Sequence, residues 1–438
     1  MLTHVLFNPV VTSIILLCVL CLCRINVLLA ILISSIFAGI TSGMGVENIM
    51  NTFISGMGGN SETALSYILL GAFAAAMNHT GFTDVIAKKI IDIVNNRAWV
   101  LFLILGLIAM ASQNIIPIHI AFIPILVPAL LPTMNLLQID RRSIACVLAF
   151  GLKAPYITIP AGFGLIFHNL IADNMIQNGM PVVRANIWEY TWILGVGMVV
   201  ALGIALCVYR KPRVYKQIDV PEEHLEDLKF NKNHWITLIA AIVTFAVQIW
   251  THSLPLGALT GLGIIFSLGA VKHSKMDKLM DEGIYLMGYV AFVMLVASGF
   301  ATVLKTTGGI ESLVSYVTSV LPPSQIATAV IMLLLGLLIT IGIGTSFGTI
   351  PILAVVFVPI CMHIGFNVPQ TVVLLAAAAA LGDAGSPASD TTLGPTSGLN
   401  VDGQHNHIWD TCVPTFIHYN LALIIFALVG VYIFKGQG

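Results

Sequence analysis

A chain of 438 residues that is 58% hydrophobic and 9% charged is not a soluble domain, where about a quarter of the residues carry charge. It reads as an all-α polytopic membrane protein with no room for a sizeable soluble domain. A formal net charge of −1 gives nucleic acid no purchase, and seven cysteines, with Cys18, Cys21 and Cys23 in one apolar run, read as small core residues rather than disulfides or a zinc shell.

Apolar spans are expected at about Val5 to Cys23 and Val27 to Thr41. The first has no basic region before it and no Ala-x-Ala site after it, so it reads as a retained span rather than a cleaved signal. A glycine-rich stretch and a span from Thr63 to His79 follow. Asp84 to Asn95 alternates charge with Ile and Val at helical spacing, the pattern of an interfacial amphipathic helix. Further spans run from Trp99 to Ala111 and on to Leu131 past a break at Ser112 to Pro117. Another follows Arg141 and Arg142 as far as Gly151 to Pro155, and the last of this half is Trp188 to Tyr209. Arg210 to Asn233 is the one long hydrophilic segment, and the basic residues at its membrane ends make it cytoplasmic. This divides the chain into a first membrane repeat (1–211), a linker (212–233) and a second repeat (234–438).

The halves repeat. A shift of 227 positions lays Gly56 on Gly283, Phe73 on Phe300, Thr80-Gly81 on Thr307-Gly308 and Ile123 to Leu126 on Ile350 to Leu353. Lys88, Lys89 and Arg97 mark one loop as cytoplasmic, while its counterpart Thr306 to Gln325 has no Lys or Arg. Lys272, Lys275 and Lys278 mark the next loop of the second half, whose counterpart Thr41 to Glu62 has none. Opposite bias at matching positions is what an inverted pseudo-two-fold produces. The expectation is two inverted repeats of about five transmembrane helices each, with broken or re-entrant helices.

The decisive stretch is Leu381 to Gly398. Pro369 opens a helix that climbs roughly 20 Å by Leu381, short of the ~30 Å hydrocarbon core, before Gly382, Gly385 and Pro387 stop it. Irregular backbone at that depth survives only inside protein or beside a wet cavity. Asp383, Ser386, Ser389, Asp390, Thr391 and Thr392 there supply hard oxygens for a cation, as broken helices do in secondary transporters. A polar extramembrane loop is the bland alternative. An intramembrane aspartyl protease, suggested by Gly382-Asp383, lacks a partner aspartate in a second apolar run.

Gly382-Asp383, Ser386-Pro387 and Ser389 to Thr392 resemble the Gly-Asp-Lys-x-Ser-Pro-x-Ser-Asp-Thr-Thr signature of the NhaC-type Na+/H+ antiporter family, part of the ion transporter superfamily. The tail as far as Gly403 to Thr411 is similar to a branch that includes candidate histidine permeases. The resemblance implies a scaffold-plus-transport-domain fold, Na+ or H+ as coupling ion, and no enzyme activity or cofactor. The family lysine after Gly-Asp is Ala384 here. Lys153, alone in an apolar span at the symmetric place, is the candidate replacement, expected to reach Asp383 or Asp390 unless it snorkels to the interface.

The breaks at Ser112 to His119 and Gly342 to Thr349 occupy equivalent places. They offer Asn114, His119, Thr345 and Ser346 as pocket lining, against simple satisfaction of helix ends. Gly342, Gly344 and Gly348 are no nucleotide loop, with no strand before and no lysine after. His405, His407 and His418 are too ill-spaced for one metal and read as a solvated loop. The expected function is alternating-access transport of a small cation in the cell's inner membrane, as Na+/H+ exchange. The alternative is Na+- or H+-coupled uptake of an amino acid such as histidine. A homodimer is compatible with either, and a passive channel fits the broken helices less well.

Overall fold

The computed structural model describes residues 8–23, 25–82, 85, 89, 97–114, 119–216, 230–251, 253–310, 312, 324–343, 345–387 and 389–436. Most of the expected interfacial helix Asp84 to Asn95 and of the linker lies outside them. The described residues form seventeen α-helices and no strand. In the first half these are α1 (Pro9–Leu22), α2 (Val27–Thr41), α3 (Val46–Met57), α4 (Ser61–His79), α5 (Ala98–Asn114), α6 (His119–Leu136), α7 (Arg141–Thr158), α8 (Phe163–Gln177) and α9 (Trp188–Val208). The second half holds α10 (Lys232–Thr251), α11 (Leu254–Ser267), α12 (Met276–Thr306), α13 (Gln325–Ile343), α14 (Ser346–Ile364), α15 (Val368–Ala380), α16 (Asp390–Leu399) and α17 (Val413–Ile433). A π-helical turn, His407–Cys412, leads into α17.

Element order repeats between the halves. α1 and α2 have counterparts in α10 and α11, and α5 to α9 in α13 to α17. The helices α3 and α4, parted by a short turn at Gly58–Asn60, match the single 31-residue α12. Equivalent ends share their chemistry: α4 stops at Thr80 and Gly81 (φ 72°), and α12 at Thr307 and Gly308 (φ 67°). Glycine carries the left-handed turn that ends each helix without a Cβ penalty.

Five described helical segments are long and apolar enough to cross a membrane, six if the pair α7 and α8, bent by 46° at their break, counts as one span. Six shorter apolar helices of 10–17 residues accompany them. Among the described residues the long spans, the bent pair and the shorter apolar helices together make up the membrane-spanning part of the two halves.

Small residues let these helices approach closely. A Cβ on Gly283 of α12 would lie 2.3 Å from the Ala72 nitrogen of α4, and one on Gly336 of α13 would lie 2.5 Å from Ala378 of α15. Gly257 and Gly261 pack on α10 in the same way, their would-be Cβ atoms 2.4 Å from Gln248 and 2.0 Å from Thr244. At the centre lies α15. Its alanine run is apolar on every side and wholly buried, as a helix without a polar face must be. It packs on α13, α14 and α17.

Candidate functional site

The chain leaves α15 at Leu381, whose backbone is extended, and then turns through Gly382 (φ 78°) and Gly385 (φ 102°). Asn420 of α17 fixes this turn at two points. Its Oδ1 accepts from the Gly382 amide at 2.7 Å, and its Nδ2 donates to the Ala384 carbonyl at 2.7 Å. Gly385 lies against α17, where a Cβ would stand 2.6 Å from the Phe416 backbone. Thr392 Oγ1 closes the loop by donating to the carbonyls of Ser386 (2.5 Å) and Ser389 (2.9 Å). The extramembrane-loop alternative does not describe this segment: Asp383, Ser386, Ser389, Thr391 and Thr392 are all buried.

Asp383 is the hub. Its Oδ2 accepts from Lys153 Nζ, from Ser346 Oγ at 2.5 Å and from Tyr156 OH at 3.2 Å, while its Oδ1 accepts from Ser389 Oγ. Ser346 Oγ also stands 3.1 Å from Lys153 Nζ and 2.7 Å from Tyr156 OH. Thr391 Oγ1 lies 2.8 Å from Ser389 Oγ and donates to the Asp383 carbonyl at 3.1 Å. Lys153 and Tyr156 are presented one helical turn apart by α7, Ser346 by the start of α14, and Asp383 and Ser389 by the break after α15. Lys153 does not snorkel: 1% of its side chain is exposed.

Two of the remaining sequence candidates, Asn114 and Thr345, bond backbone groups near the hub rather than Asp383 itself. Asn114 serves the other break, between α7 and α8. Its Nδ2 donates to the carbonyls of Pro155 (3.1 Å) and Ile159 (3.4 Å), while its buried Oδ1 has no hydrogen-bond partner among the described residues. Gly162 (φ 56°) passes so close that a Cβ would sit 2.3 Å from the Asn114 carbonyl oxygen. Thr345 precedes α14 and gives its carbonyl to Thr349 Oγ1 at 2.7 Å. His119 and Asp390 open α6 and α16, but their side chains lie outside the described residues.

Sequence reasoning missed Tyr156 and Asn420. Both are polar groups in apolar helices, and Asn420 is the only carboxamide in α17, which was the available signal. Five rings pack beside the site around Phe347, the neighbour of Ser346. Tyr67, Tyr156, Phe163 and Phe167 stand 5.6, 5.5, 6.3 and 6.2 Å from it, centroid to centroid.

A second polar cluster joins the same elements at the linker end. Arg141, read from sequence only as a span flank, is fully buried and grips Asp402 with both terminal nitrogens (2.6 and 2.5 Å), with further bonds to the Leu399 carbonyl and Asn135. The Tyr215 ring lies 4.2 Å from its guanidinium carbon. Residues 213–216 are clamped alongside. The Arg213 amide donates to the Gln138 carbonyl (2.9 Å), its side chain pairs with Asp410 (2.9 Å), and Lys216 exchanges two hydrogen bonds with Gln404.

His405 corrects the expectation of a solvated loop. It is buried under this cluster with Nε2 2.6 Å from Thr411 Oγ1, and burial pushes its imidazole down to about 4. His407 bonds Thr396 and the Pro387 carbonyl, and His418 the Pro414 carbonyl. No group of metal-ligating side chains forms among the described residues.

Known proteins place this geometry in a wider setting. Residues 147–431 match the model of the Na+/H+ antiporter family, and residues 8–94 a second model described as Na+-H+ antiporter family. The chain is 45% identical to the Bacillus subtilis protein named "Putative amino acid transporter YuiF", covering 96% of this chain and 99% of that one. It is 44% identical, with the same coverage, to the uncharacterized membrane protein VP2115 of Vibrio parahaemolyticus.

The fold is similar to two solved structures. The YdaH transporter of Alcanivorax borkumensis matches with TM-score 0.60 at 14% identity, over 90% of this chain and 89% of that one. MtrF of Neisseria gonorrhoeae, of a class of antimetabolite efflux pumps, matches with TM-score 0.59 at 14% identity over 88% of this chain and 84% of that one. With one family model matching residues 147–431 around the Asp383 hub and relatives 44–45% identical over 96% of the chain, the chain belongs to the Na+/H+ antiporter family and is a multi-pass secondary transporter, not an enzyme.

Proposed function

We propose that Asp383 binds the transported cation, Na+ or H+, and that Lys153 holds the carboxylate whenever the cation is absent. The observation that carries this reading is the Lys153 ammonium seated on Asp383 where both side chains are out of water. Either charge alone is costly inside a membrane protein, and together they are neutral. Na+ arriving at Asp383 would leave a net positive charge unless Lys153 released its proton. One Na+ bound for one proton released keeps the site neutral, and repeated on both sides of the membrane this is cation exchange. Ser346, Ser389, Thr391 and the loop carbonyls offer hard oxygens once the ammonium withdraws. Asp390, Ser386, Thr392, Asn114, His119 and Thr345 complete the proposed lining.

In this reading the halves are inverted repeats of about five crossings each in the cell's inner membrane. The repeated order of elements and the opposite charge bias of matched loops support it. Rocking of the broken helices against the first two spans of each repeat would alternate access. The test is Na+ binding and coupled proton release by purified protein between pH 6 and 9. Asp383→Asn should abolish Na+ binding. Lys153→Ala should bind Na+ as well or better, with the pH dependence lost. A pH profile for Lys153→Ala identical to that of the natural protein would end the reading.

Coupled amino-acid transport is the second reading, favoured by the name of the Bacillus relative, 45% identical over nearly the whole chain. Uptake of labelled L-histidine into proteoliposomes, driven by a Na+ or proton gradient, tests it. No uptake under either gradient would remove it.

A further inference from the structure

A cavity of about 320 Å3 opens to the surface between the start of α4 and the second half of α8, apart from the Asp383 hub. Its lining is polar, with Thr63 and Ser66 from α4 and Asn169 from α8, and it carries charges of both signs, Glu62, Asp173 and Arg184. Asp173 is already matched, its Oδ1 accepting from Arg184 Nε at 2.6 Å. The Glu62 carboxylate makes no ion pair among the described residues. Lys305 of α12 lies close by, donating to the carbonyl of the lining residue Gln177 at 3.0 Å. With two carboxylates and one guanidinium in its lining, the cavity is strongly dipolar.

The cavity also points inward. Ser66 immediately precedes Tyr67, and Ile166, another lining residue, follows Phe163 by one turn of α8. Tyr67 and Phe163 are in ring contact with each other (5.2 Å between centroids) and with Phe347, whose neighbour Ser346 binds Asp383. These contacts connect the wall of the vestibule to the cation hub through the aromatic cluster.

We infer that the vestibule is a recognition site for a small net-neutral zwitterion, an α-amino acid, with Arg184 taking the carboxylate and Glu62 the ammonium group. A lone inorganic cation needs neither Arg184 nor so large a space. A dicarboxylate would meet Glu62 and Asp173. A volume near the lower end of the range of small-molecule pockets, about 300–1,000 Å3, suits a single amino acid better than a peptide. This deepens the coupled-transport reading and rests on it for the substrate's path, while the binding step is independent of Asp383.

The experiment is calorimetric titration of the full-length purified protein with L-alanine, L-serine and L-histidine. N-acetyl-L-histidine and L-histidine methyl ester, each lacking one end of the zwitterion, are the controls, and Na+ is titrated separately. The three amino acids should bind and both blocked derivatives should fail. Glu62→Gln and Arg184→Gln should each weaken amino-acid binding about tenfold or more, with the Na+ response unchanged. Both positions are exposed, so folding is spared, and the Na+ response of each variant verifies it. Amino-acid binding unmoved by either variant, or blocked derivatives binding equally well, would overturn the site, as would no amino-acid binding beside an intact Na+ response. Amino-acid binding by the natural protein without any Na+ response would instead count against Na+ as the cation bound at Asp383 while supporting the vestibule.

Discussion

Asp383 is held by donors from three elements, and removing a single partner strands a buried charge. Lys153→Ala or Asp383→Leu alone should cost about 3–5 kcal/mol, whereas Lys153→Met combined with Asp383→Leu should be near neutral for stability and dead for transport. Thermal unfolding in detergent measures this, and a single-variant loss below about 1 kcal/mol would contradict the dry ion pair. Acid sensitivity is set at the other cluster. The folded-state value for His405, about 4, lies below the ordinary ~6.5, so unfolding takes up a proton between the two. Stability should be full above about pH 6.5 and fall as pH drops toward 4, by at most about 3 kcal/mol. Burial raises the Asp402 carboxyl, but its bonds to Arg141 outweigh this and hold it below the usual carboxylate range. Its contribution is therefore also lost in acid, at lower pH. His405→Asn should flatten the limb between pH 6.5 and 4, and an unchanged limb would acquit His405. Lys153 was legible because an ammonium in an apolar run must find a partner. Tyr156 was not, since a tyrosine in such a helix is satisfied in many ways. Arg141 looked like a flank because sequence order does not show the 399–405 loop folding over it.

At the scale of elements, the break after α15 could be read from sequence because a helix too short to span, followed by glycines and a proline, has few alternatives. What could not be read is how the break is held, since Asn420 lies some forty residues on and acts through backbone atoms of the loop. Two glycines separate conformational strain from space. Gly403 (φ 72°) has nothing near its would-be Cβ, whereas Gly385 (φ 102°) faces the Phe416 backbone at 2.6 Å. Gly403→Ala should cost about 1 kcal/mol for the left-handed backbone alone. Gly385→Ala should cost more, about 1–3 kcal/mol of strain plus displacement of α17, and should lower cation affinity. Equal destabilisation by the two, measured by thermal unfolding, would show that the close approach does not matter. The repeat was legible for a related reason: helix ends such as Thr80-Gly81 and Thr307-Gly308 reuse one turn chemistry. The division of one half's long helix into α3 and α4 was not, because glycine-rich sequence there suits either a loop or a kink.

For the whole molecule, several buried polar contacts cross between the halves. Lys153 and Tyr156 meet Asp383, Arg141 meets Asp402, Tyr419 OH donates to the Cys146 carbonyl at 2.5 Å, and Asn60 Nδ2 to the Met294 carbonyl at 3.1 Å. Lys153 and Arg141 of the first half each find their counter-charge, Asp383 and Asp402, in the second. The segment 213–216, clamped by Gln138, Asp410 and Gln404 just before the hydrophilic stretch, ends the first half in a docked grip on the second. Covalent continuity through 217–229 is then dispensable. Residues 1–216 and 230–438, expressed as two polypeptides in one cell, should co-purify through an affinity tag on either and reconstitute the same transport. Arg213→Ala together with Arg141→Ala should make the pair come apart while a continuous chain carrying the same changes stays assembled, and mass photometry of the detergent-solubilised material would tell the two cases apart.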